Sequence, residues 1–482
     1  MIWSGEWQGS GKPGFRERRD SYCNQCIRND IAMWGQWGLR PIRLASFVTA
    51  GEIAEAKEEV ATWMEGDWQK VMLGSFPTGY EAWKAVINND LQAEIQDWWR
   101  ERADSMAYHH LLNIRLLNQA YERIFDVISP DRVFGNGGFY YPWGIVGHIA
   151  KQRHISYFRY YRIGLHRLAW NYVRNNHELI DVSPAWESWL QKPWRSEQEQ
   201  RVDQDLKNRG VQIDWKPKRK VVPKNISEQL GLDPNEPIAL AATGVAWDAN
   251  TNIRSEAFGC MYDWLWETIR WFAEHPQWQL VIRAHPHDNI APNIAPETRT
   301  LFEREVQRKG TALPPNVYFV PHDHSVSTFE IASVSELLIT YMSTIGLEIA
   351  CSGLPVVVIG PAHYRGKGFT LDPVNPGEYF SMLSIILSGN VSGESIEGRS
   401  LLAKRYWYLY AYHASVVMGL VELGQRNLAH EDEPYLAQQV PEQLTCQDLL
   451  PGANPYLDHI CDSVIHDLPI MGPNRWPPER QE

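Results

Sequence analysis

The chain lacks any uninterrupted apolar run near the roughly 18 residues of a membrane-spanning helix. Its first residues, MIWSGEWQGSGKPG, lack the basic and apolar regions of a secretory signal. A cytoplasmic protein is therefore expected, with the inner face of the membrane as an alternative address through aromatic or basic surface patches. Cysteine is sparse, and six in 482 residues make no disulfide framework. Basic charge is in deficit: 46 Lys and Arg stand against 58 Asp and Glu, a net charge of -12. That balance argues against a nucleic-acid partner held by bulk charge, though not against a local basic pocket. Repeats and low-complexity tracts are absent. Tryptophan is abundant, at 22 residues, expected mostly in cores and grooves, with sugar-stacking platforms as a further use. At 44% hydrophobic and 22% charged, the chain has apolar material for two or three domains.

Three regions follow from the patterning. Residues 1–170 hold helix-like segments such as LLNIRLLNQAYERIFDVI, apolar at 3–4 spacing. Next come a turn, strand and Gly-rich loop in SPDRVFGNGGFYY, a helix in WGIVGHIAKQRHI and a strand in SYFRYYRI, which together form a β-α-β unit of a parallel sheet. Residues 171–235, with RSEQEQRVDQDLKNRG at their centre, are polar and read as a connector rather than core. From 236 to 425, short apolar runs alternate with helices: PIALAATGVAW, WQLVIRAHP, NVYFVPH, ELLITY and PVVVIG as strands, then LLAKRYWYLYAYHASVVMGLVEL as a long helix. Such alternation predicts a doubly wound parallel sheet. Residues 426–482 are Pro-rich and read as an irregular extension wrapping a neighbouring domain. Two α/β domains joined in this way bind ligands at the carboxyl ends of their strands.

Chemistry concentrates where the apolar runs end. In ITYMSTIGLEIACSGLPVVVIG, Ser343 or Thr344 caps a helix after a strand, and Gly346 leaves the backbone open to a ligand. Hydroxyls, bare backbone and a helix start suit a phosphate, whereas the plainer reading is an ordinary helix cap. Gly353 and Pro355 then end the helix. Glu348, one turn in, either reaches a ribose hydroxyl or faces solvent. LVIRAHPHDN brings Arg283, His285, Pro286 and His287 to another strand end, where a cation and an imidazole suit a departing phosphate and His285 donates a proton or hydrogen bond, whereas the plainer reading is a satisfied surface histidine near a Pro turn. Thr243 and Gly244, closing a third apolar run, are candidates for nucleotide binding. The loop of NVYFVPHDH, with His322, Asp323 and His324, lines a base or is simply polar. HYRGKG adds Tyr364, Arg365 and Lys367 as contacts to phosphate or an acidic sugar, or as a solvated basic loop.

The order RAHP, VYFVP, ITYMSTIGLEIACSGLPVVVIG, HYRGKGFT resembles bacterial capsule polysaccharide biosynthesis proteins, glycosyltransferases of the GT-B fold similar in pattern to Kdo transferases and bacterial sialyltransferases. The resemblance is good from about 237 to 372 and weaker over PDRVFGNGGFYYPWGIVGHIAKQRHI. It implies two Rossmann-like domains facing across a cleft, with donor phosphate contacts at His285–Pro286 and Ser343–Thr344. The implied donor is a nucleotide sugar, often CMP-linked, and the acceptor a glycan or glycolipid, with no cofactor and no metal. Teichoic-acid polymerases using CDP-glycerol share a similar layout and stay open as a neighbouring possibility. Related sialyltransferases carry an acidic-acidic-Gly motif whose second acid is the base; MEGD offers only Glu65–Gly66. Glu6, Glu65, His109 and His110 are therefore all candidates for the base.

Cys23 and Cys26 form a Cys-x-x-Cys pair with no second pair, and neither Cys446 nor Cys461 supplies one, so two packed thiols are preferred to a zinc site. His285, His287, Asp288, His322, Asp323 and His324 offer a rival reading as a metal-dependent hydrolase. A third reading is a non-catalytic binding protein on the same fold.

Overall fold

The computed structural model describes residues 28, 31, 35, 40–89, 100–137, 140–162, 169–174, 182–211, 213, 224–245, 253, 255–286, 312–390, 393–417, 422–423, 438–439, 445–471 and 475–476. Cys23, Cys26, Glu6, His287 and Asp288 lie outside them, and so does the Cys446 side chain. The chain divides into two compact units. One comprises Met1–Val86, Ile95–Asp131 and Tyr140–Ile155; the other comprises Ile87–Glu94, Arg132–Phe139 and Ser156–Glu482.

The first unit is helical, with α1 (Ala50–Met64), most of α2 (Thr78–Asn89), α3 (Arg100–Ile128) and α4 (Tyr141–Gln152). Thr49 and Glu52 close a capping box over the start of α1. The Arg123 guanidinium and the Thr49 groups hold the Glu52 carboxyl down at about 2. The apolar spacing in α3 does what it predicts: Leu111, Leu112, Leu116, Leu117 and Ala120 are all buried.

The second unit holds two larger sheets and a two-stranded antiparallel pair, Glu422–Leu423 with Gln438–Gln439. In the first, β1 (Arg132–Asn136) and β2 (Ser156–Arg162) run parallel, as the β-α-β reading expects. To these β3 (Ala169–Arg174) and β9 (Ser415–Val417) add antiparallel. Between β3 and the second sheet lie α5 (Ser183–Leu190), α6 (Ser196–Asn208) and α7 (Lys224–Leu230).

The second sheet is built from β4 (Ile238–Ala242), β5 (Gln279–Arg283), β6 (Val317–Val320), β7 (Leu337–Thr340) and β8 (Val356–Val358). Its order is β6-β5-β4-β7-β8 and every pairing is parallel. The chain is thus a mixed α/β protein with a doubly wound parallel sheet. Its strands are continuous apolar runs because both faces are covered. Ala239, Ala241, Leu280 and Ile282 face α8 (Met261–Ala273) and the later α11 (Pro376–Leu387), where Trp264, Phe272 and Leu383 are buried. Ile238, Leu240, Val281 and Leu338 face the opposite layer, which includes Leu347 and Trp407. The remaining helices are α9 (Thr328–Ser333), α10 (Ile345–Ala350), α12 (Gly393–Tyr408) and α13 (Pro455–Ile465).

Three readings need correction. Residues 182–211 are not a connector: Trp186, Trp189, Val202 and Leu206 are core, and α6 is amphipathic, with two apolar residues four apart turned inward. Its Asp205 Oδ2 accepts from Trp407 Nε1 at 3.1 Å and from the Tyr412 hydroxyl at 2.5 Å, while Lys404 pairs with Glu199 and Asp203. The long helix after residue 400 stops early. It passes through a π-turn at Leu409–His413, and the β-branched pair Val416–Val417 goes into β9. Finally, residues 445–471 are not irregular. Ile460 of α13 and Ile470 pack with Phe158 and Val416, and Asp467 pairs with Arg174 at 2.8 Å and Arg132 at 3.5 Å.

Replacing Asp205 with Ala strands two inward donors. Urea unfolding should show a loss of about 2–4 kcal/mol. A change within experimental scatter would return α6 to the status of a loose connector.

Candidate functional site

The second sheet ends in a single row. Register pairs Val320 with Arg283, Arg283 with Ala242, Ala242 with Thr340, and Thr340 with Val358. All five exits therefore lie at one edge. The strand order reverses between β4 and β7, the topological switch point at which open α/β sheets bind ligands. His285 follows β5 and Ser343–Thr344 follow β7, so both reach this edge. They are not on adjoining strands, because β4 runs between them, and their exits stand about 10 Å apart, two strand spacings.

The exits are tied together by side chains. Thr340 Oγ1 donates to the Ala242 carbonyl at 3.2 Å. Thr243 Oγ1 donates to the Arg283 carbonyl at 3.3 Å and accepts from the His285 amide at 3.2 Å. Thr243 thus holds His285 in place, and its hydroxyl is already used. Gly244 follows it, half-buried. His285 itself is half-buried, and Pro286 is exposed beside it.

Arg283 departs from its expected role at the phosphate. It is 4% exposed, and its guanidinium donates to the carbonyls of Pro321, His322 (3.4 Å), His324 (3.4 Å) and Val320 (3.5 Å). Its job is to fasten the loop after β6, because a buried guanidinium needs acceptors and this turn supplies them. Burial pushes its pKa down, partly offset by Asp323. His324 Nδ1 accepts from the Val326 amide at 3.1 Å, so that ring also serves the loop.

At β7, Ser343 Oγ faces the Ile345 amide at 3.5 Å, a long contact, and Thr344 is an N-cap whose side chain makes no capping bond. Ser343 is half-buried and Thr344 exposed. The helix α10 has only six residues, so its dipole is small and the hydroxyls carry most of what an anion would meet. Gly353, at φ 88°, closes it as expected. Gly346 needs its missing side chain for a different reason from the one expected. A Cβ there would strike the Tyr364 hydroxyl, so the gap is filled by protein and not kept for a ligand.

Four other candidates are engaged inside the fold. Glu348 is buried against Arg209 (2.8 Å) instead of reaching toward a ribose, and burial raises its pKa against the pull of that arginine. Tyr364 is fully buried and donates to the Ser343 carbonyl at 2.5 Å. Arg365 donates to the Pro373 carbonyl at 2.7 Å and pairs with Glu256 at 3.3 Å. Lys367 donates to Ser183 Oγ at 2.7 Å.

In the first unit, Glu65 caps the end of α1 and is exposed. His109 and His110 are half-buried on α3, and burial, with a lesser push from His109, brings His110 down to about 4. Among the described residues no group of three or more His, Cys, Asp or Glu can hold a metal ion, so the hydrolase reading has no ligand set there. Also among those residues, no helix is long and apolar enough to cross a membrane.

Sequence reading missed Thr340 and His363. A lone Thr ending an apolar run is the one hint of the first. His363 is half-buried beside Tyr364. The Tyr406 hydroxyl spends its proton on the His363 carbonyl at 2.8 Å, so the 2.9 Å pair with Nδ1 must be donated by the ring. Burial, then Lys367, lowers His363 to about 3.

No protein-family model and no curated protein matches the chain. Solved structures that match include two Thermosulfurimonas dismutans KpsC proteins. The β-Kdo 2,7 transferase is 15% identical, over 53% of this chain and 73% of that one, with a TM-score of 0.31. The β-Kdo 2,4 transferase is 14% identical, over 60% and 81%, with a TM-score of 0.33. The S. aureus MnaA–UDP structure is 13% identical, over 68% and 90%, with a TM-score of 0.29. At such low identity and TM-score the likeness carries no assignment of function.

The folded chain keeps His363 neutral, whereas the unfolded chain protonates it near 6.5, so unfolding takes up a proton between pH 6.5 and about 3. Stability from this residue is complete above that window and falls as pH falls through it. Between pH 7 and pH 5 the wild type should lose about 2 kcal/mol more than His363→Asn, which keeps a donor for Tyr406. Paired urea titrations at the two pH values check this, and parallel losses refute it.

Proposed function

We propose that the chain is a glycosyltransferase that moves a sugar from a nucleotide-activated donor to a glycan or lipid-linked acceptor in surface polysaccharide synthesis. One observation carries the reading. An imidazole, His285, and a hydroxyl pair, Ser343 and Thr344, leave the carboxyl edge of one parallel sheet on the two strands that flank β4, at the switch point. The motif resemblance from 237 to 372, which includes the same residues, supports it. A CMP-linked donor is the version that resemblance favours.

The acceptor hydroxyl attacks the anomeric carbon as the bond from that carbon to the nucleotide phosphate breaks. The bonding pair leaves on the phosphate oxygen, where His285 supplies a hydrogen bond or proton and the two hydroxyls stabilise the charge. Gly244 and His322 are proposed to flank the nucleotide. The acceptor's proton goes to a general base.

CMP or UDP should raise the melting temperature of the wild type, and one of the CMP- or UDP-linked sugars should be turned over in a hydrolysis screen. In His285→Ala, turnover should fall about 10²–10⁴-fold. Equal turnover in that variant removes His285 from the mechanism, and silence to both nucleotides removes the transferase reading.

A further inference from the structure

The exit of β7 is built around an empty place. At Gly346 the volume of a Cβ is taken by the Tyr364 hydroxyl, with Tyr364 Cζ 3.0 Å and Thr340 Cγ2 3.1 Å from the same point. Through this gap Tyr364 reaches from the segment after β8 and donates to the Ser343 carbonyl at 2.5 Å. The ring is wholly buried against Phe369 and His363, so it has little freedom to move. Burial drives its pKa well above the usual phenol range, so the proton needed for donation stays in place. By contrast, the Ser343 and Thr344 side chains are barely tied, with a 3.5 Å contact for one and no capping bond for the other. Among the described residues the loop is thus fixed through its carbonyl while its hydroxyls are left over.

We propose that Tyr364 is a positioning residue for Ser343 and Thr344, locking their loop through the socket that Gly346 leaves, so that both hydroxyls are preset for a donor's phosphate. The proposal rests on the transferase reading for its ligand, but the lock itself does not. Tyr364 touches no substrate; it acts through the Ser343 carbonyl. Gly346 acts through Tyr364, because any side chain there displaces the hydroxyl.

The test uses the full chain in four forms: wild type, Tyr364→Phe, Gly346→Ala and the double variant. Amide hydrogen exchange reads the loop, and calorimetric titration with CMP and with UDP reads the site. In Tyr364→Phe the amides of Ile345, Gly346 and Leu347 should exchange about tenfold faster while the central strands keep their protection. Nucleotide affinity should fall about 10- to 100-fold, the usual cost of a binding group displaced by about an ångström. Gly346→Ala should be at least as damaging. The double variant should be no worse than Gly346→Ala, since the hydroxyl that the new methyl would strike is gone; such non-additivity marks residues acting as one unit.

Three results overturn the lock: unchanged exchange in Tyr364→Phe, faster exchange spread evenly over the sheet with a lower melting temperature, or an additive cycle. Faster local exchange with unchanged nucleotide affinity overturns the positioning role. If the wild type binds neither CMP nor UDP, the transferase reading falls, and the exchange cycle still decides the lock.

Discussion

Five parallel strands covered on both faces have no choice about where their connections begin. Each must turn at the same edge, in the row Val320, Arg283, Ala242, Thr340 and Val358. A row of turns carries many backbone groups that no ladder satisfies, and burial makes each one costly to leave unpaired. Here the strand ends supply the partners themselves. Thr340 reaches the carbonyl of β4, Thr243 holds the exit of β5, Arg283 gathers the carbonyls after β6, and Tyr364 holds the exit of β7. The edge is stitched from one strand to the next. His285 and the Ser343–Thr344 hydroxyls are presented by backbone that is held from behind.

This arrangement explains which parts of the molecule are legible in the sequence. The strands of the second sheet are runs of Val, Ile, Leu and Ala because both faces are buried, so a continuous apolar run between turn signals is enough to find them. The spacing in α3 is equally plain. The α6 segment is not, since only Val202 and Leu206 turn inward, and the partners of Asp205 lie some two hundred residues away in Trp407 and Tyr412. No local pattern announces them. The switch from helix to strand after His413 is hidden for a related reason: Val416 and Val417 fit a helix face as well as a strand, and only the open edge of β3 decides between them.

At the site, position in the chain reveals which residues reach the edge but not what each one faces. Ser343, Thr344 and His285 follow apolar runs, and strand direction alone brings them together. Arg283, Glu348, Tyr364, Arg365 and Lys367 sit in the same stretches, and in sequence a polar group bound to a ligand looks the same as one bound to a carbonyl. Gly346 illustrates the ambiguity. A bare backbone beside two hydroxyls suggests room for a phosphate, yet the room belongs to a tyrosine that arrives from beyond the next strand.

Arg283 shows that such a substitution of partners leaves a charge at the sheet edge. Four carbonyls accept from its two terminal nitrogens, but a carbonyl is a dipole and leaves the full positive charge in place. Asp323 is the charge that acts against it, and that side chain belongs to an exposed residue, where water screens it. Arg283 is 4% exposed, so less solvent stands between its charge and its surroundings. A buried cation fixed by carbonyls at the mouth of a parallel sheet therefore biases that edge toward negative ligands without touching them. On the proposed transferase reading, His285, two residues further along, would supply its hydrogen bond within the field of that charge.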